Sequence, residues 1–300
     1  MKKYSVFLFV AAALLSAAAC NKGALQGAAP ELTPADELGR IPVVLGAIGE
    51  GINAEVTTKA TVVDALASFN ATCTTGSAGS ESQVWNNVSF SGGPNYTGGK
   101  FWPNDADPSY HFYASNAAIT FAAGGSTVAA TNATDVICAY KAANTWKSKN
   151  DLSFDHIFGR IGNVIVNAGT GYTISGVTIN ITPKTGGTYN IRTGAGQSDD
   201  TGWSSLTTGS ATNIANATPS TKSNDLWLVP GTYTLTASWT AAKDAYSESI
   251  SGKTVDVVIT KGKINTITTT LGGNANEITL GVTITPWGDP VNKDVVFPTS

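Results

Sequence analysis

The sequence is poor in the residues that catalytic and metal sites need. It has two histidines, and 13% of its 300 residues are charged, about half the usual share of roughly 25%. No Gly-x-Ser-x-Gly elbow is present. The acidic pairs Asp105/Asp107 and Asp199/Asp200 lack the glycine and the closing glutamate of a calcium loop. We therefore expect no catalytic residue, no bound metal and no cofactor.

An excess of positive charge is also missing. The net charge is −3 and no basic stripe runs along the chain, which excludes nucleic acid as an expected partner. Hydrophobic residues make up 42% of the chain, whereas disordered chains combine low hydrophobicity with high charge. The polar residues are mainly Thr, Ser, Asn and Gly, and together with valine they favour strands joined by turns.

Long helical patterns are rare, and short alternating segments take their place. Apolar residues alternate with polar ones at residues 233–239 and 278–284, as in strands that bury one face. The apolar parity changes at Ser175-Gly176, which predicts a β-bulge. A short helix is possible at residues 60–67, a helical turn at 152–161 and a loop at 186–209. The whole pattern predicts an all-β protein built from sandwiches.

The N-terminus has the parts of a secretory signal peptide. Two lysines precede an apolar run at residues 6–15, which is too short for a comfortable membrane span, and small residues follow as far as Cys20. The stretch resembles a bacterial lipobox, although Ala17 stands where that signal usually has leucine. The resemblance implies removal of residues 1–19 and a lipid on Cys20, which would anchor the chain in the outer membrane. An ordinary signal would be cut near Ala19 and leave Cys20 unmodified; both alternatives predict export.

Composition divides the exported chain into three parts. Residues 20–40 are rich in Gly, Ala and Pro and read as a lipidated linker. A polar segment at 141–151 marks a boundary, so we expect an N-terminal domain at 41–150 and a C-terminal domain at 151–300 that ends in a tail.

Two cysteines and two histidines are candidates for buried polar roles. Cys73 and Cys138 either form a disulfide, which export permits, or remain buried thiols. His111 alternates with apolar neighbours and is expected to face solvent or a loop. His156 lies among apolar residues and is expected to be packed and hydrogen-bonded rather than catalytic.

Four motifs stand in order along the chain. They are TTKAT at 57–61; Trp102-Pro103 with YHFYA at 110–114; FDH at 154–156 with Arg160-Ile161; and PGTY at 230–233 with ITLGVTITPW at 278–287. Together with the lipobox, they resemble the Bacteroidetes fimbrillin-like (Mfa-like) proteins, the subunits of lipoprotein-derived type V pili. The resemblance covers most of residues 41–287.

The resemblance implies two tandem transthyretin-like, Ig-like β-sandwich domains and a place in a fimbrium at the cell surface, with other fimbrial subunits as partners. It also implies a trypsin-like cut after an arginine near the first strand. Arg40 matches, since it is the only Arg or Lys between Lys22 and Lys59 and precedes the first predicted strand. The alternative is that Arg40 is a solvated linker residue.

The family further implies that a groove is filled by a strand of the next subunit. A sheet that lacks one strand leaves backbone groups and apolar surface unsatisfied, and a donated strand supplies both. In the tail, Val291, Val295 and Phe297 share one parity, and Asn292 and Asp294 have the other. The tail could equally be the last strand of its own domain or a frayed end.

A second interpretation is a monomeric surface lipoprotein that binds a glycan or a host protein. Its basis is the position of Trp85, Trp146 and Trp203 near polar loops, because aromatic faces suit sugars and binding residues concentrate on loops.

Overall fold

The computed structural model describes residues 40–48, 66–93, 95–103, 110–143, 147–272 and 278–286. Within these ranges the chain is all-β, as predicted: twenty strands form four sheets and no helix occurs. The TTKAT motif and nearly all of the possible helix at 60–67 lie outside the described residues. The helical turn predicted at 152–161 is wrong, because that segment consists of short strands and a bend.

The strands have the following bounds. They are β1 (Pro42–Ile48), β2 (Ser68–Thr75), β3 (Ser82–Ser91), β4 (Tyr96–Phe101), β5 (Tyr110–Ser115), β6 (Ile119–Thr120), β7 (Thr127–Thr131), β8 (Ile137–Ala143), β9 (Asn150–Ser153), β10 (Asp155–His156), β11 (Gly159–Ala168), β12 (Thr173–Ile181), β13 (Lys184–Asn190), β14 (Trp203–Thr208), β15 (Thr212–Asn213), β16 (Thr221–Leu228), β17 (Gly231–Lys243), β18 (Tyr246–Ile259), β19 (Lys263–Leu271) and β20 (Ile278–Pro286).

The largest sheet has eight strands in the order β10-β8-β5-β2-β3-β4-β1-β9. Its edge strands β9 and β10 are separated in the chain by Phe154 alone, so the sheet curls until its two edges meet. Phe154 is 1% exposed and its ring lies 5.2 Å from that of Phe69. Apolar side chains from all along the sheet, including Leu45, Phe90 and Phe112, form one buried cluster with these two rings.

A four-stranded sheet, β14-β13-β7-β6, supplies a second buried cluster on the other face of β5 and β8. Val128 and Tyr189 of this sheet pack in that cluster with Tyr113 and Cys138. All six residues of β5 are therefore buried. His111 is only 8% exposed, so its predicted exposure to solvent is wrong, whereas the contact of its Nε2 with the carbonyl of Gly76, in the loop after β2, agrees with the alternative of a position facing a loop. An alternating sequence has an exposed polar face only when one side of the strand meets water. Both sides of β5 are covered by other parts of the chain.

The loop predicted at residues 186–209 is also wrong, because it contains most of β13 and all of β14. Glycines at its start mimic a turn signal, but they allow neighbouring strands to approach closely. A Cβ added at Gly186 would lie 2.2 Å from the carbonyl oxygen of Ala130, and one at Gly187 would lie 2.6 Å from that of Ser204. The first contact belongs to β7 and the second to β14, so each glycine fits one side of β13.

The remaining two sheets, β16-β11-β19-β20 and β15-β12-β17-β18, share a third buried cluster. The strict alternation at residues 233–239 is confirmed, because Tyr233, Leu235, Ala237 and Trp239 all lie in this core. The β-bulge is confirmed as well, since the pairing of β12 with β17 shifts register between Ser175 and Thr178. Gly176, at φ +61°, adopts the left-handed conformation that a bulge commonly requires.

Pairing also joins strands on the two sides of the predicted boundary at 150/151. β9, which begins at Asn150 and lies almost entirely after the boundary, pairs in parallel with β1, and β10 pairs with β8. Conversely, β7, which precedes the boundary, pairs with β13, which follows it. The division into domains at 41–150 and 151–300 therefore stays a prediction, and short strands from each side complete sheets on the other.

Adjacent valines on β18 provide a matched test of the core. Val257 is 2% exposed and Val258 is 56% exposed. Val257→Ala should lower the free energy of unfolding by about 2 kcal/mol, through lost burial and a residual cavity. Val258→Ala should change it by less than about 0.5 kcal/mol. Urea unfolding of both variants measures the difference, and equal losses would contradict this assignment of faces.

Candidate functional site

The first strand, β1, lies between two partners rather than at a sheet edge. It pairs antiparallel with β4, from Pro42 opposite Phe101 to Leu45 opposite Tyr96, and in parallel with β9, from Leu45 opposite Asn150. Val43 and Leu45 are 2% and 0% exposed and belong to the cluster inside the curled sheet. Withdrawal of β1 would leave unpaired backbone groups on two strands and an apolar gap between them.

Arg40 lies two residues before the start of β1 and is exposed. Its guanidinium lies over the ring of Phe101, 4.1 Å from the centroid. The next residue is held as well, because the amide of Trp102 donates to the carbonyl of Ile41 over 2.9 Å. A cut after Arg40 would remove residues 1–40 and leave β1 attached to the chain that leads to β2.

Cys20 and the tail residues Val291, Val295 and Phe297 lie outside the described residues. The structure therefore brings Arg40 and β1 together and leaves the lipid site and the donor strand as predictions.

A buried polar cluster that the sequence did not suggest connects distant segments of the chain. Arg192, after β13, pairs with the carboxylate of Glu81 and donates to the hydroxyl of Tyr113, which itself donates to Glu81 over 3.0 Å. The Glu81 side chain is fully buried. Burial lowers the pKa of Arg192 and raises that of Tyr113. Alternation finds apolar faces only, so no pattern in the sequence signals this pairing.

The two histidines both have structural partners. His111 Nδ1 lies 2.8 Å from the Tyr140 hydroxyl and Nε2 lies 3.0 Å from the carbonyl oxygen of Gly76. His156 is 3% exposed and its Nδ1 lies 2.9 Å from Asp135 Oδ1, which confirms its packed, hydrogen-bonded role. Each ring thus ties a strand to a turn or a neighbouring segment.

The two cysteines of the described chain are free and buried. Cys73 packs inside the curled sheet and Cys138 in the cluster on its other face. Burial raises the pKa of Cys138 to about 12 and also raises that of Cys73. Thiols in such surroundings are inert at neutral pH.

Two adjoining cavities, of about 290 and 230 Å³, share Asp155 and Gly196 as lining residues. The buried Lys261 lines the larger one, and its ammonium donates to the carbonyl of Gly194 over 2.7 Å and to the Tyr189 hydroxyl over 3.4 Å. Burial lowers the pKa of Lys261. Through these two hydrogen bonds, the Lys261 ammonium connects the loop after β13 to the turn before β19.

The tryptophans proposed as a glycan platform pack largely inside. Trp85 is 9% exposed and belongs to the cluster in the curled sheet. Trp203 is half-buried, and its ring lies 5.0 Å from Phe158 and 5.2 Å from Tyr189. Trp146 lies outside the described residues.

Metal and membrane features can be judged for the described ranges alone. There, no three His, Cys, Asp or Glu residues are grouped so that they could hold a metal ion. Asp199 serves a turn, since its Oδ1 accepts from the amide of Thr201. None of the described segments is a helix of the length and apolar character needed to cross a membrane.

The buried pair Glu81–Arg192 gives a test of the polar cluster. Arg192→Met should lower the free energy of unfolding by about 3 kcal/mol or more, because it leaves a carboxylate buried without its cation. Lys184→Met is the control, since Lys184 lies 3.7 Å from a half-exposed Asp200, and it should cost less than about 1 kcal/mol. Adding Glu81→Gln to Arg192→Met should recover part of the loss. Equal urea midpoints for the two single variants would contradict the buried pair.

Comparison with solved structures finds several that resemble this chain, two of them from Bacteroides species. A fimbrial protein from Bacteroides vulgatus is 17% identical, with a TM-score of 0.52, over 83% of this chain and 99% of that chain. A protein from Bacteroides uniformis that is proposed to act in cell adhesion is 15% identical, with a TM-score of 0.46, over 84% and 99% of the two chains. At 17% identity the first likeness shows the fold alone. A search of curated proteins finds no match.

The sequence also matches a family model over residues 56–287, which is well over half of the chain, and that family is described as fimbrillin-like. The family and its structural neighbours are fimbrial and adhesion proteins rather than enzymes. The chain belongs to the fimbrillin-like family.

Proposed function

We propose that the protein is a structural and adhesive subunit of a cell-surface fimbria, exported as a lipoprotein precursor and assembled by strand exchange. Family membership supports a fimbrial-type adhesion subunit. The observation that carries the finer proposal is the position of β1, a single strand held between β4 and β9 over an apolar interior.

The slot of β1 has the chemistry that a donated strand needs. An incoming strand would find backbone partners on both sides, on β4 and on β9. Two neighbouring inward positions, those of Val43 and Leu45, would accept apolar side chains. Main-chain hydrogen bonds would supply affinity and alternate side chains would supply specificity.

Maturation and donation complete the proposed cycle. A trypsin-like cut after Arg40 removes the linker and the lipid on Cys20 that holds the precursor in the outer membrane. The tail then supplies the donor, with Val295 and Phe297 spaced two residues apart like Val43 and Leu45. Other fimbrial subunits are the partners of both the slot and the tail. Each subunit would consist of the domains proposed at 41–150 and 151–300.

A monomeric surface lipoprotein that binds a glycan or a host protein remains the second candidate. The cavities near Asp155 are the observation that favours it, since tyrosine rings and hydroxyl groups line the smaller one. Binding on a glycan array by a chain that stays monomeric after cleavage would favour this candidate over the fimbrial subunit.

The donor role of the tail can be tested on the full chain. After digestion with an arginine-specific protease, the wild-type protein should form multimers in gel filtration and in electron micrographs. Val295→Asp with Phe297→Asp should reduce their yield at least about tenfold, because charges cannot enter an apolar slot.

The control for this test exchanges residues of the opposite parity. Asn292→Asp with Asp294→Asn keeps the net charge and should assemble like the wild type. Normal assembly of the Val295/Phe297 variant would exclude the tail as donor. Absence of wild-type multimers would contradict assembly by strand exchange.

The lipid on Cys20 has a separate test. In a bacterial host with lipoprotein processing, the mature N-terminal peptide should begin at Cys20 and carry the mass of acyl chains. Cys20→Ala should shift the protein from the membrane fraction to the soluble fraction, since the acyl chains supply the anchor. Mass spectrometry that finds an unmodified Cys20 in the wild type would contradict the lipobox.

A further inference from the structure

Both sides of the Arg40–Ile41 peptide bond are engaged in the folded chain. On one side, the Arg40 guanidinium lies 4.1 Å from the centroid of the Phe101 ring. On the other, the Ile41 carbonyl accepts the amide proton of Trp102 over 2.9 Å. Directly after it, Pro42 stands opposite Phe101 as the first pair of the β1–β4 ladder. The end of β4 therefore holds the residues that flank this bond.

A trypsin-like protease needs the same groups. It takes the arginine side chain into an acidic specificity pocket. It also binds the chain around the cut in an extended form, through main-chain hydrogen bonds like those of an added strand. The Arg40 side chain cannot occupy that pocket while it covers Phe101. The Ile41 carbonyl likewise cannot serve the protease while it accepts from Trp102.

Building on the proposed maturation after Arg40, we propose that Phe101 and Trp102 form a lock on this bond. The protease cuts only while the first residues of β1 are separated from the end of β4. The observed rate is then the intrinsic rate multiplied by the fraction of molecules that are open at this point. Phe101 is then a positioning residue for maturation, because it controls access to the bond and takes no part in the chemistry of the cut.

The distribution of arginines makes the lock measurable. The sequence has three arginines, Arg40, Arg160 and Arg192. Arg160 pairs with Asp225 over 2.7 Å and Arg192 pairs with the buried Glu81. An arginine-specific protease should therefore cut the native chain after Arg40 alone. Cuts after the other two arginines report global unfolding in the same digest.

The central experiment compares Phe101→Leu with Phe101→Tyr in the full chain. Leucine keeps apolar bulk but lacks the ring face that attracts a cation, and tyrosine keeps that face. A cation–π contact at an exposed site corresponds to about a two- to fivefold change in an equilibrium. Phe101→Leu should therefore be cut after Arg40 about two to five times faster than the wild type. Phe101→Tyr should be cut at the wild-type rate.

Two further measurements make the result independent of folding defects. Hydrogen exchange at the Trp102 amide should accelerate in Phe101→Leu by the same factor as cleavage, because one opening exposes both groups. A free peptide of residues 36–45 should be cut faster than the folded wild type. Cuts after Arg160 or Arg192 in Phe101→Leu would show that this variant unfolds globally. In that case the exchange of the Trp102 amide in Phe101→Tyr, which should match the wild type, decides whether the lock exists.

The outcomes separate the lock from the maturation on which it rests. Equal, measurable cleavage rates for wild type and Phe101→Leu would overturn the lock and leave maturation standing. Cleavage of the folded wild type as fast as the free peptide would also overturn the lock and leave maturation standing. Complete resistance of the wild type and of Phe101→Leu, with the peptide readily cut, would overturn both.

Discussion

The N-terminal sheet depends on the pairing of β1 along both of its edges. β9 has its ladder to β1 alone among the described strands, and β9 leads through Phe154 to β10 on the opposite edge. Because a strand without partners leaves its amides and carbonyls unsatisfied, β1 fixes the place of β9. That place in turn allows the sheet to curl around the cluster of aromatic rings. One seven-residue strand thus joins β4 to β9 and completes this edge of the sheet.

The connection between the first sheet and the chain after β10 has a different physical character. Beside the apolar cluster that β5 and β8 share with the four-stranded sheet, it includes the buried pair of Glu81 with Arg192. A buried ion pair contributes little net stability compared with apolar packing, yet it strongly disfavours arrangements that separate the charges. The Tyr113 hydroxyl and the ring of Tyr140, 5.2 Å from the guanidinium, leave it few other positions. The pair therefore specifies how the loop after β13 sits on the first sheet.

Alternation in the sequence predicted those strands that bury one face. Tyr233 to Trp239 is the clearest case, because β17 packs inward on one side and exposes threonines such as Thr234 on the other. The bulge at Gly176 was predictable for the same reason, since an inserted residue reverses the parity. The series of short alternating segments predicted the all-β fold class, and the apolar neighbours of His156 identified it as a packed residue.

The pattern failed where packing on both sides, or close approach of backbones, decided the structure. His111 has the polar parity of β5, yet a second sheet covers that face. Gly186 and Gly187 read as a turn, although they provide the space that β7 and β14 occupy. Arg40 was identified from its charge and position, but its contact with Phe101 needs a partner about sixty residues away. Local sequence does not specify which distant strand lies beside it.

The order of Arg40 and β1 along the chain separates cleavage from strand exchange in the proposed mechanism. Since the cut falls before β1, the strand stays joined to β2 through residues 49–67 after maturation. A donor from another subunit must therefore compete with a strand that remains tethered to its own chain. Cleavage alone removes no residue of the β1–β4 or β1–β9 ladders. The donor has to offer more buried apolar surface than Val43 and Leu45 supply, and the large ring of Phe297 is the feature of the tail that meets this requirement.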